Sequence, residues 1–369
     1  MDLTLTDEQE MLRDGLARFI QESYTFEKRR ALIGSDQGFG SEHWRTFGDL
    51  GWLALGLPEE AGGIECSFVE LALVMEAFGS GLVLEPYASN VVLSSRILAR
   101  ADNAALCRET LSAMAEGKAR VALAHSEAQT RYALDDVRTT AQPGGGGYVL
   151  RGTKFLVLDG PSADKLIVSA QLAGSIALFL LDRGTPGVKL YPYRLLDDTF
   201  AADIVLDDVR VTAAELLTRS NVVAILEEAR DRFILAKVAE TLGGMERVLQ
   251  ITGEYVRSRS QFGQPLFRFQ ATQHRLAEMF VEVQETRSIL YCGLAHIDSE
   301  APARRRAISA AKVVATNAGR IVGGLGIQLH GGMGMTEEYS VGHYFKKFIT
   351  TEKLCGDTDY HLVRLAEKT

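Results

Sequence analysis

Arginine, Phe-Gly, proline and glutamine crowd the segment YVRSRSQFGQPLFRFQATQHRLAEM, residues 255 to 279. Arg259 brings a planar fork that matches a phosphate or pyrophosphate, and Phe262 offers a flat aromatic face beside it. Gly263 and Pro265 shape a tight turn, and Gln270 stands near the start of the next helical stretch. These residue types describe an anion-binding loop, although a simple turn carrying a solvated arginine uses the same ones. A second stretch, GGLGIQLHGGMGM at 323 to 335, joins Gln328 to glycines that let backbone approach a ligand closely. A helix ending in a glycine-rich turn is the other reading. No strand precedes these glycines, so they are not a dinucleotide-fold loop.

The surrounding periodicities predict the elements that hold these loops. Residues 1–118 read as helical, with apolar positions three and four apart in EQEMLRDGLARFI and SFVELALVMEAFG, and with capping boxes at Thr6-x-x-Gln9 and Ser67-x-x-Glu70. Residues 119–211 change to short β-type runs separated by Gly, Pro and Asp, which predicts a small antiparallel sandwich or barrel. PGGGG at 143 to 147 reads as a hairpin loop. Residues 212–369 return to long helices, expected at 222–257, 270–297 and 302–323 with a shorter pair after them. Their continuous apolar stripes predict a C-terminal helical bundle. The fold class is therefore α+β, with an N-terminal helical domain, a central antiparallel β domain and the bundle.

Composition narrows the function. The chain has 369 residues, 46% hydrophobic and 24% charged, and a formal net charge of -8. No long basic block exists to track a phosphate backbone, so nucleic acid is not an expected partner, and Arg304-Arg305-Arg306 reads as a solvated helix face. Cys66, Cys107, Cys292 and Cys355 are scattered, which suggests neither a zinc site nor a disulfide framework. No apolar run reaches the about 20 residues of a membrane span, and the N-terminal stretch lacks a signal-peptide pattern, so the expected location is cytoplasmic.

The order of helix domain, β domain and bundle, together with RSQFGQPLFRFQATQHRLAEM and QLHGGMGM, resembles the acyl-CoA dehydrogenase family over essentially the whole chain. Members of that family bind FAD between subunits. The resemblance implies that Arg259, Phe262 with Gly263, Phe269 with Gln270, and Gln328 with Gly331 and Gly332 hold the adenosine-pyrophosphate half of FAD. It also implies removal of an α-proton from an acyl-CoA by a carboxylate, with hydride passing from the β-carbon to the flavin. An external acceptor such as electron-transfer flavoprotein would then take the electrons.

Other positions depart from the family pattern. Its usual base is a glutamate before Gly-Thr near the C-terminus, and in FITTEKLCGDTDYH that position is Cys355, whose only cation nearby in sequence is Lys353. Some relatives place the base near the start of the first long bundle helix; that spacing lands on Phe233, two residues from Asp231, which is the candidate catalytic carboxylate. Where the family has Trp-Ile-Thr after Gly-x-Lys, GTKFLVLDG has Leu156 and Leu158, and leucine offers no side-chain hydrogen bond to a flavin nitrogen. Its Thr-Glu-Pro strand end is changed to ALAHSE. His125 and His330 are expected to be structural rather than ligand contacts. Arg232 is a candidate substrate contact, or else an ion-pair partner of Glu227 or Glu228.

The residues kept are those that reach across a subunit interface. The resemblance therefore implies the smaller, base-lacking subunit of a heterotetrameric (α2β2) acyl-CoA dehydrogenase acting on bulky thioesters such as steroid side-chain or dicarboxylic ones. A homotetramer with a displaced carboxylate, or a non-catalytic scaffold, are the alternatives.

Overall fold

The computed structural model describes residues 4–35 and 38–367. Among these residues it contains eleven α-helices and ten strands, and the chain divides into two compact units.

The first unit comprises residues 1–33, 68–83 and 234–369. It holds α1 (Asp7–Ser23), α2 (Phe26–Ile33), α4 (Phe68–Gly81), most of α7 (Val222–Ser258), and α8 (Gln270–His296), α9 (Ala301–His330), α10 (Ser340–Lys353) and α11 (Thr358–Ala366). Helix α1 starts where its sequence says it should. The Gln9 N–H donates to Thr6 Oγ1 at 3.3 Å and the Thr6 N–H to Gln9 Oε1 at 3.0 Å, so the capping box is complete.

Helix α9 differs from expectation, running on to His330 instead of ending near 323. Its glycines serve packing rather than termination. A Cβ on Gly323 would stand 2.8 Å from the Phe345 ring, and one on Gly326 2.7 Å from Val248. Close approach of neighbouring helices offsets the cost of glycine inside a helix, about 1 kcal/mol each. Arg304 also differs, because it is buried and its guanidinium donates to Ser299 O at 3.3 Å, while Arg306 is exposed as a solvated face requires.

The second unit comprises residues 34–67 and 84–233. It holds α3 (Ser41–Asp49), a buried π-helical turn at Ala88–Ser94 continuing into α5 (Ser95–Arg100), α6 (Ala104–Ala115), the first turns of α7, and the sheet. The strands are β1 (Val121–Ala124), β2 (Thr140–Gly144), β3 (Gly147–Leu158), β4 (Lys165–Leu172), β5 (Ser175–Asp182), β6 (Val188–Arg194), β7 (Phe200–Thr212) and β8 (Leu216–Thr218). They form one mostly antiparallel sheet in the order β6-β7-β3-β2-β4-β5-β8, with β4 parallel both to β2 and to β1, which lies off this path. These parallel pairs depart from a purely antiparallel reading. They are possible because β2 and β3 lie between β1 and β4, and β3 between β2 and β4, giving the long connections that parallel neighbours need.

The glycine run closes the β2–β3 hairpin as expected. Gly144 pairs with Gly147, and Gly145 and Gly146 have φ of 63° and 82°, the two left-handed positions of a tight hairpin turn. Leu150, Val157, Leu166, Val168 and Phe179 turn into the apolar core of this unit.

Candidate functional site

In the first unit, α7 ends one residue before Arg259 and leads into a small hairpin, β9 (Ser260–Gln261) against β10 (Gln264–Pro265). Phe262 and Gly263 form its turn with φ of 54° and 80°. A bulky aromatic in that region is uncommon, and here it leaves the Phe262 side chain 89% exposed, with its ring edge-on to Phe269 at 6.1 Å. The backbone of Arg259 is fixed, its N–H donating to Tyr255 O at 2.8 Å and its carbonyl accepting from Leu266 N at 2.9 Å. Its side chain is exposed and has no hydrogen-bond or ion-pair partner among the described residues. Gln270 is the exposed first residue of α8, whose N-cap Phe269 offers no side-chain acceptor. That helix end therefore keeps orphan N–H groups suited to an anion.

The second motif meets the first through His330. Gln328 lies exposed on the last turn of α9, and Gly331 to Met335 continue as a 3-10 turn. The His330 ring lies 4.4 Å from the Tyr255 ring and 4.9 Å from that of Tyr339. Its Nδ1–H donates to Gly326 O at 2.7 Å, which leaves Nε2 to accept from the Tyr339 hydroxyl at 3.2 Å. Burial lowers its pKa, and the neutral ring is fully satisfied, so His330 is a post joining the two motifs. Gly331 has φ of 61°, and a Cβ on Gly332 would meet nothing within 4 Å. Since nothing among the described residues crowds Gly332, its bare backbone is open to a group from outside.

In the second unit a buried polar hub stands on β3. Lys154 Nζ donates to Glu127 Oε1 at 2.6 Å, Ser169 Oγ at 3.0 Å and the His125 carbonyl at 3.2 Å. Burial lowers the Lys154 ammonium to about 8, against the pull of Glu127. Burial works against the Glu127 carboxylate too, but hydrogen bonds from Lys154, Gln129 and Thr139 outweigh it and hold the group at about 2. Burial, then the charge on Lys154, pushes His125 down to about 3. Ser169 Oγ accepts from Lys154 and shares a hydrogen bond with His125 Nδ1 at 2.9 Å. His125 Nε2 is buried without a partner among the described residues. A polar ring nitrogen left so is costly, by about 1–3 kcal/mol, unless another group meets it. Sequence reasoning saw Gly-x-Lys and ALAHSE as pattern positions and missed the hub they build.

The remaining candidates are distributed as follows. Asp231 is fully buried on α7 and Phe233 beside it is buried. Arg232 Nε lies 3.7 Å from Glu228, which also pairs with Arg96 and with Arg100 at 3.1 Å, while Glu227 is 3.7 Å from Arg230. Leu156 is 40% exposed in a bulge of β3, with φ of 51°, and its backbone N–H donates to Asp203 Oδ1 at 3.2 Å. Cys355 follows α10 with φ of 59°. Buried Lys312 interacts electrostatically with it, while Lys353 pairs with Glu352 at 3.1 Å. Lys312 Nζ donates to Leu354 O at 3.0 Å and to Thr351 O, capping the end of α10. Burial lowers it to about 8, with Cys355 among the groups opposing that shift. Glu352, three residues before Cys355, is buried and also faces Arg320 at 3.6 Å.

Residues 6–118 match the family model for the acyl-CoA dehydrogenase N-terminal domain, and residues 230–369 that for the C-terminal domain. A chain in the crystal structure of the ChsE4-ChsE5 complex from Mycobacterium tuberculosis is 30% identical, covers 100% of both chains and superposes with a TM-score of 0.90. The chain belongs to the acyl-CoA dehydrogenase family. That structural match extends across the sheet, which lies between the two family models. Acyl-CoA dehydrogenase FadE27 of Mycobacterium tuberculosis (strain ATCC 25618 / H37Rv) is 29% identical over 375 residues, 100% of this chain and 98% of that one. The structure of a Tcur3481-Tcur3483 steroid ACAD variant matches with a TM-score of 0.88 at 28% identity, over 98% of each chain. Acyl-CoA dehydrogenase family members are oxidoreductases acting on CH–CH bonds. No helix among the described residues is long and apolar enough to cross a membrane.

The arrangement fits FAD unevenly. Its unpaired guanidinium, side-chain amides, helix end and open glycine backbone suit a pyrophosphate and adenosine. The sheet offers apolar Leu156 and the unmet ring nitrogen Nε2 of His125.

Proposed function

We propose that this chain is a subunit of a mixed acyl-CoA dehydrogenase, supplying Arg259, Phe262, Gln270, Gln328, Gly331 and Gly332 to an FAD site completed with a homologous subunit. The observation that carries this reading is the contrast between those residues, all exposed, and position 355, where a cysteine stands in place of a carboxylate. FAD, when bound, supplies the hydride acceptor for α,β-dehydrogenation of an acyl-CoA thioester. Arg259 and the N-terminus of α8 offset pyrophosphate charge, the Phe262 face takes a flat ring, and Gly332 admits close backbone approach. The carboxylate that takes the α-proton belongs to the partner.

Two matched structures support a paired assembly, since ChsE4-ChsE5 and Tcur3481-Tcur3483 are each described by two chain names. The second is described as a steroid ACAD, which supports a bulky, steroid-like acyl group as substrate. An electron-transfer flavoprotein is the natural external acceptor.

The test is flavin content and solution mass of the chain purified alone and after co-expression with a homologous dehydrogenase chain. Little flavin alone and one flavin per heterodimer is the expected result. One flavin per protomer in a homotetramer overturns the reading and makes buried Asp231 the carboxylate to substitute.

A further inference from the structure

A cavity of about 640 Å³ opens in the first unit, between the end of α1, the start of α2, the end of α4, the middle of α7 and the start of α10. Its size falls in the range of small-molecule sites. Ile20, Tyr24, Phe26, Leu82, Ile251 and Tyr344 give it apolar walls. The wall at Leu82 is held in place: the residue has φ of 53°, and its carbonyl accepts from Nε of buried Arg29 at 2.9 Å. The Tyr344 hydroxyl donates to Ser80 O, which fixes the floor.

One charge in this cavity is uncompensated. Arg247 donates to Gln250 Oε1 at 2.8 Å and to the Tyr344 hydroxyl, both neutral, and no carboxylate among the described residues pairs with it. Neighbouring Glu246 is engaged by Arg287, which also lies 3.6 Å from Glu76. Glu27, on the rim, is exposed. A guanidinium held only by neutral partners, beside aromatic and aliphatic walls, is a receptor for an anionic head on an apolar body.

We propose that this cavity binds a small amphipathic monoanion, a carboxylate borne on an apolar chain or ring, with Arg247 as its anchor. None of the cavity residues belongs to the flavin or adenosine positions, so the proposal stands apart from the dehydrogenase reading.

The experiment is a fluorescence titration of the full chain with anilinonaphthalene sulfonate, followed by displacement with octanoate or octylammonium. Octanoate is expected to displace the dye and octylammonium to leave it bound. Arg247→Gln should weaken dye binding about tenfold, the loss of one charge-assisted contact. Glu27→Gln should strengthen it about twofold by removing a screened repulsion. Ala17→Trp, at an exposed position on the wall, fills the cavity and should abolish binding, while Arg306→Gln leaves it unchanged. Near-ultraviolet circular dichroism checks that each variant keeps its packing. Dye affinity unchanged from the unsubstituted protein in Arg247→Gln or in Ala17→Trp, or displacement by octylammonium as strong as by octanoate, overturns the proposal.

Discussion

Gly79 on α4 and Gly243 on α7 pack reciprocally against each other's helix. A Cβ on Gly79 would stand 1.9 Å from the carbonyl oxygen of Glu240, and one on Gly243 1.8 Å from that of Glu76. Both obstacles are main chain, so neither can swing aside, and the two helices must separate to admit a methyl group. Gly243→Ala is therefore expected to destabilise the protein by about 2–3 kcal/mol through overpacking, despite alanine's better helix propensity. Chemical denaturation with an unchanged m-value checks it; a stabilised variant refutes the contact.

Lys154 is buried with three acceptors, and removing it leaves the Glu127 carboxylate buried beside an empty place. Lys154→Met should cost about 3–5 kcal/mol, and adding Glu127→Gln should recover part of that loss. Thermal unfolding of the single and double variants measures the coupling. Additive losses would mean that the two side chains act independently.

Acid should loosen the same hub. His125 is lowered from 6.5 to about 3 and Glu127 from 4.5 to about 2, so the unfolded chain binds more protons than the folded one in both windows. Their stabilisation is present above the unfolded values and is lost as pH falls, first from 6.5 toward 3 for His125 and then from 4.5 toward 2 for Glu127. Each group contributes a slope approaching about 1.4 kcal/mol per pH unit within its window. His125→Phe should make stability less steep between pH 6.5 and 4.5, where the histidine and not Glu127 titrates, leaving the share of His330, which burial also lowers. An unchanged slope there would place the titration elsewhere.

Arg259→Gln and Gly332→Val should separate binding from folding. Neither residue's side-chain space is used inside the chain, so melting temperature should stay within the scatter of surface substitutions, about 0.5 kcal/mol. Under the proposed assembly, Arg259→Gln should weaken FAD retention by the co-expressed complex about tenfold or more. Flavin released on dilution reads the effect directly, and full retention in both variants would remove these residues from the site.

Local chemistry in the sequence was enough to place the Thr6 cap, the Gly145-Gly146 turn and the start of α8, because each depends on residues within one turn of one another. Glycine was the ambiguous letter. At 323 and 326 it serves close packing and the helix continues, whereas at 331 it ends the helix; the difference lies in Phe345 and Val248, which local reading does not bring near. The candidate site divides similarly. Arg259 and Gly332 were legible from the resemblance, but the hub of His125, Glu127, Lys154 and Ser169 is assembled by two strands and the loop after β1. Lys312 sits in an ordinary helical stripe, and only the fold brings it to the end of α10.

The stack of Tyr255 on His330, with Tyr339 closing the other side, has a kinetic consequence for the proposed assembly. It ties the Arg259 hairpin and the Gln328 turn to one rigid post before any second molecule arrives. A surface ordered in advance loses little freedom on docking, so the entropy of shaping it is incurred when this chain folds rather than when the complex forms. Loosening the post, as in Tyr255→Ala, would shift that cost to the encounter and show itself as slower productive association.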